Sequence, residues 1–177
     1  MDIARKKPLA ADIGIFGVGH RTYWSQYPGL LDTLQGYLWA FDAKIRGREC
    51  TTSNFGIADE AESAYRIMKQ IKAADPDLVF CDMLTYATSA TWGIMAREID
   101  TPIVLVALQP DQAMDYENAT TFMQLVNDPI CALPEFVGVS VRMGKAVPPC
   151  IIGTLDDDAD AEADIDRWCR IARVLHD

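Results

Sequence analysis

The residues best suited to chemistry stand where apolar runs stop. Asp12 to Val18, Asp77 to Cys81, Pro102 to Ala107 and Val147 to Ile152 read as buried strands. The first three open into GHRTYW (Gly19 to Trp24), DMLTYATS (Asp82 to Ser89) and QPDQ (Gln109 to Gln112). These loops offer the imidazole of His20, the rings of Tyr23, Trp24 and Tyr86, the hydroxyl of Thr85 and the amide of Gln109. Such groups give a small hydroxyl-rich ligand many hydrogen bonds and a flat apolar face to lie on. His20, one of two histidines, could equally be a structural residue.

Other chemistries are poorly served. Gly17-Val18-Gly19-His20-Arg21-Thr22 suggests a dinucleotide loop, but Thr22 stands where the third glycine belongs. The acidic run from Asp156 to Asp166 fails as a calcium loop. Counted from Asp156, Ala161 and Arg167 occupy the positions of the required Gly and Glu. Acids at the start of a helix complement its dipole, which is the simpler explanation. With two histidines, a transition-metal site within this chain is not expected. No G-x-S-x-G elbow is present.

The elements that must position these loops alternate. A helix over 26–40 carries Leu30, Leu31, Leu34, Leu38 and Phe41 at helical spacing, with Pro28 in its first turn. A weak edge strand is expected near 43–50. Helices follow at 58–73, 88–98, 116–127, 130–144 and 159–175, the third of these six started by Thr88 or Ser89. Strands alternating with helices imply right-handed crossovers and a mainly parallel sheet. The expected fold is a three-layer α/β/α sandwich, flavodoxin/Rossmann-like, with five parallel strands in the order 2-1-3-4-5. No internal repeat or linker divides the chain, so residues 1–177 read as one domain. Ligands of such sheets bind beyond the carboxyl ends of the strands, where the strand order reverses.

The chain has 177 residues, half of them apolar, and a net charge of −10. It lacks the basic stripe of a nucleic-acid-binding protein. The short cluster Arg5-Lys6-Lys7 reads as a solvated tail. No apolar run is long enough for a membrane span, and no secretory leader is expected. Five cysteines without paired spacing suggest reduced thiols and a cytoplasmic location.

Several segments carry a family likeness. Ile13 to Leu34, Asp77 to Trp92, Pro102 to Pro110 and Thr120 to Gly144 together resemble the N-terminal domain of the L-arabinose/L-fucose isomerase family, in the same order. The resemblance implies an aldose–ketose isomerase that binds a sugar, requires Mn2+ and assembles as a trimer or hexamer. It also implies that the metal ligands and catalytic residues lie in later domains outside this chain. In that family the domain lends substrate contacts to a neighbouring subunit, and His20 and Gln109 match its contact positions. Gly19 departs from the family's glutamine, and no histidine stands near Cys131 and Ala132. The alternative is a non-catalytic module that binds a sugar or another small metabolite. If the domain lends contacts to a neighbouring subunit, apolar surface near Tyr23, Trp24 and Trp92 should be left for self-association.

Overall fold

The computed structural model describes residues 10–176. The basic cluster Arg5-Lys6-Lys7 lies outside them. Five strands, β1 (Asp12–Val18), β2 (Thr51–Ala58), β3 (Leu78–Met83), β4 (Ile103–Gln109) and β5 (Cys150–Thr154), form one sheet in the order β2-β1-β3-β4-β5. Every neighbouring pair is parallel. The helices are α1 (Thr22–Gln26), α2 (Leu30–Arg46), α3 (Ala61–Ala74), α4 (Ser89–Glu98), α5 (Thr121–Val126), α6 (Leu133–Arg142) and α7 (Ala159–His176). The three-layer α/β/α architecture and the strand order are those expected.

The side-chain period of a strand assigns each layer its core. Ile13, Ile15, Leu78 and Phe80 point to one face, covered by α2, α5 and α7; Phe16, Val18, Val79 and Cys81 point to the other, covered by α3, α4 and α6. On α2, Leu30, Leu34, Leu38, Phe41 and Ile45 form one buried stripe. Trp92 is stacked on Phe136 at 5.1 Å and donates its indole N–H to Ser140 Oγ at 3.0 Å. At 2% exposure it ties α4 to α6 and offers no surface for association.

The expected first helix is split. Gly29 has φ +86°, a left-handed turn natural to glycine, and separates α1 from α2. Pro28 therefore precedes α2. The second strand lies at 51–58 rather than 43–50, because Ile45 extends the buried stripe of α2 and keeps that segment helical. β2 is an edge strand with a register shift against β1 beside Gly56, which has φ +82°. β5 begins at Cys150, after Pro148 and Pro149, which have no N–H for the sheet.

The far end of the chain is fastened to the amino-terminal edge of the sheet. His176 Nδ1 lies 2.7 Å from Asp77 Oδ2, and the same oxygen accepts the Asp12 N–H at 2.7 Å. The acidic run has structural work too. Asp158 accepts the backbone N–H groups of Thr154, Asp160 and Ala161, which holds its carboxyl below the usual range. Glu162 and Asp166 pair with Arg48, and Glu162 also pairs with Lys44, so α7 is clamped to α2. No described helix is long and apolar enough to cross a membrane.

Candidate functional site

The strand order reverses between β1 and β3, and the segments leaving these two strands meet there. After β1 the chain runs beside the end of β2: Gly19 N–H donates to Ala58 O at 3.2 Å and Arg21 N–H to Asp59 O at 3.1 Å. It then turns into α1. His20 is half-buried at this turn. Its ring meets Tyr23 at 5.1 Å and Tyr86 at 5.9 Å, both edge to face, at 83° and 85°. Tyr23 in turn meets Tyr27 at 6.2 Å. Thus His20, Tyr23 and Tyr86, from two loops more than sixty positions apart in sequence, roughly a third of the chain, form one cluster over the switch point.

Thr85 lies beneath it. Its methyl is 3.6 Å from where a Cβ on Gly19 would stand, its side chain is fully buried, and its hydroxyl has no hydrogen-bond partner. A buried hydroxyl left unpaired costs about 1–3 kcal/mol. Beside the cluster, His20, Thr22, Thr88, Arg21, Asp59 and Glu60 enclose a cleft of about 340 Å³. That is large enough for a small organic ligand. Arg21 reaches Glu60 at 3.2 Å and Asp59 at 3.6 Å, so its charge is already balanced.

Two expected site residues are used elsewhere. Trp24 covers Gly19 so closely that a Cβ there would lie 2.8 Å from the indole. Its N–H donates to Asp59 Oδ2 at 2.7 Å, which fixes the turn after β1. Gln109 donates from Nε2 to Asn127 O at 2.7 Å, and Asn127 bonds both ways with Asp111. Gln109 therefore fastens the end of β4 to the end of α5. An amide beyond a strand end reads the same in sequence whether it holds a ligand or another loop.

Asp82 escaped the sequence reading, which placed it in a loop. β3 continues through Met83, and Asp82 pairs in register with Gly17 of β1 and Val106 of β4. Its side chain is therefore on the face of Phe80, in the layer over which Tyr23 and Tyr27 pack. It is 5% exposed and makes no side-chain hydrogen bond or ion pair among the described residues. Burial alone pushes its carboxyl up to about 7. The available signal was a carboxylate inside the run LVFCDML: the apolar residues on both sides are those of a continuing buried strand.

Cys131 and Asp128 complete the surroundings. Cys131 Sγ lies 3.1 Å from Asp128 O. Burial, followed by the Asp128 charge, pushes this thiol up to about 12. Burial also raises Tyr23, with further contributions from Cys131, Tyr86, Tyr27 and Asp128. No three His, Cys, Asp or Glu side chains among the described residues are arranged to hold a metal ion, so this neighbourhood does not fit Mn2+.

No family model and no curated protein matches the chain. Among solved structures, a GDSL-like lipase from Bacteroides thetaiotaomicron is similar over 94% of this chain and 88% of its own, at 10% identity and a TM-score of 0.40. At that level the lipase lends this chain no activity. The isomerase resemblance is corrected by these findings: with the collinear strand-exit motifs in place, no isomerase family model and no curated isomerase matches the chain. Aldose–ketose isomerase activity is withdrawn with it. The expectations of Mn2+ and of a trimer or hexamer had no other footing. The short motifs reflect what any doubly wound sheet needs at its strand ends.

Proposed function

We propose that this chain is a cytoplasmic small-molecule-binding domain whose ligand lies over the carboxyl ends of β1 and β3, against His20, Tyr23 and Tyr86. One observation carries the reading: the rings of His20, Tyr23 and Tyr86 converge at the switch point, beside a turn against which the buried Thr85 packs. Rings provide flat apolar contact, and the imidazole provides directional bonds. The ligand is small and polar, of the size of a monosaccharide. The cytoplasmic assignment is supported by five free cysteines, three of them buried.

The test is an amide-resolved NMR screen of the 177-residue chain with a library of small polar fragments. Binders should move the signals of Gly19 to Tyr23 and Leu84 to Thr88, and Tyr86→Ala should weaken them tenfold or more. Fragments that perturb only other faces, or no binder at all, would refute the proposal.

A further inference from the structure

We propose that Cys50 and Cys169 form a modification site: a peroxide joins them in a disulfide that staples α7 to the start of β2. The inference concerns the amino-terminal edge of the sheet and is independent of the cleft at the opposite edge.

The fold brings the two cysteines together from distant parts of the chain. Cys50 ends the turn between α2 and β2, and Cys169 lies in the middle of α7. Two contacts fix their relation. Arg48 Nε donates to Asp166 Oδ1 at 2.5 Å, and Arg173 pairs with Glu49 at 3.3 Å. Asp166 and Arg173 stand one turn before and one turn after Cys169, on the same side of α7. The turn 48–50 therefore crosses that side of the helix over Cys169. Glu49 has φ +59°, a left-handed conformation that is costly outside glycine, and the chain turns there so that Cys50 enters the interior. Both cysteines belong to the same core layer, at 7% and 1% exposure. Each thiol influences the titration of the other.

One buried cysteine is simply a small apolar side chain. Two side by side, from distant segments, are the precursor of a cross-link. Cys81 and Cys150 provide the contrast. Both pair in register with Leu105, on its two sides, so they stand two strand spacings apart. That is about 9.5 Å, beyond the roughly 7 Å limit for a disulfide.

Cys50 is the first to react, being the less buried. Burial raises its thiol, while Cys169, Arg173 and Arg48 work in the opposite direction. Burial pushes Cys169 up to about 12, so it remains a thiol. The Cys50 thiolate attacks one peroxide oxygen. An S–O bond forms, the O–O bond breaks, and the hydroxide that leaves recovers the Cys50 proton as water. The Cys169 sulfur then attacks the sulfenic sulfur of Cys50. The S–S bond forms, the S–O bond breaks, and the second hydroxide takes the Cys169 proton. The two thiols lose two electrons, and the peroxide gains them.

The test treats the reduced chain with hydrogen peroxide under native conditions, then alkylates, digests and maps it by mass spectrometry. A Cys50–Cys169 cross-linked peptide should appear, vanish on dithiothreitol, and form faster as pH rises and thiolate increases. Cys81 and Cys150 should stay unlinked. Oxidation should raise the urea midpoint, because the bond restricts the unfolded chain, and dithiothreitol should restore it. In Cys169→Ala, dimedone should trap Cys50 as its sulfenic acid; in Cys50→Ala, Cys169 should stay unlabelled. The cross-link map of the parent decides the site even where a core variant unfolds. If Cys50 and Cys169 stay thiols while the exposed Cys131 oxidises, or link only in urea, the proposal is overturned. A cross-link that leaves the urea midpoint unchanged overturns the staple.

Discussion

Asp82→Asn should abolish a fall in stability that the parent chain shows between about pH 4 and pH 7. An aspartate in an unfolded chain titrates near pH 4, roughly, whereas burial holds Asp82 protonated to about 7. Between these values the unfolded chain has released the proton and the native chain still binds it. The unfolding free energy therefore declines as pH rises through this window and levels off above it. The interval is about three pH units, and each is worth about 1.4 kcal/mol, so the decline is about 4 kcal/mol. Water reaching the carboxyl would reduce the figure, which makes it a ceiling. Asparagine keeps the shape and cannot ionise. Urea unfolding of both proteins, followed by circular dichroism from pH 4.5 to pH 8, isolates the contribution because other titrating groups cancel in the difference. The variant's advantage should grow with pH and saturate just above neutrality. A difference constant to within about 1 kcal/mol across this range would show that Asp82 is solvated or paired, and that the buried-carboxyl argument is wrong.

Trp92→Ala should cost about 3–5 kcal/mol in denaturant unfolding, since it removes a buried ring stacked on Phe136 and leaves Ser140 without its donor; Tyr86→Ala, whose half-buried ring packs on the core edge, should cost less, about 1–2 kcal/mol. Gly19→Ala should displace the Trp24 indole from Asp59, visible as a change in tryptophan fluorescence and in the indole N–H resonance. Gln109→Ala should lower stability by about 1–2 kcal/mol by stranding the Asn127 carbonyl, and should leave ligand affinity within twofold. Cys131, although exposed, should react slowly with iodoacetamide at pH 8 because its thiol is pushed up to about 12, and Asp128→Asn should speed the reaction.

The fold was legible because hydrophobic period and punctuation agreed. Ile13, Ile15 and Phe16 in β1, the α2 stripe and the β4 run each bury what their spacing says they bury. The edge strand was misplaced for the complementary reason. Thr51–Ala58 is mostly half-exposed, so it carries little apolar signal, while Ile45 lent the preceding segment a false alternation. The convergence of His20, Tyr23 and Tyr86 was legible because strand exits meet wherever a parallel sheet reverses its order. The neighbours of Trp24 and Gln109 were not, because nothing local in sequence records that Asp59 or Asn127 comes within reach. Asp82 required knowing that β3 runs two residues further than its last uninterrupted apolar run.

The acidic composition finds most of its account in the fold, and the remainder is informative. Carboxylates do defined structural work at several places: Asp158 caps the start of α7, Glu135 accepts the Ser89 N–H at the start of α4, and Glu162 ties α7 to Lys44 of α2 and, with Asp166, to Arg48 just beyond it. Asp111 and Asp115 hold turns in the long connection after β4. Asp82 and Asp128 play no such structural part. Among the described residues, Asp82 is buried without a side-chain partner and Asp128 enters no ion pair. Burying a carboxyl without compensation works against folding. The growth of the Asp82→Asn advantage with pH measures that cost directly.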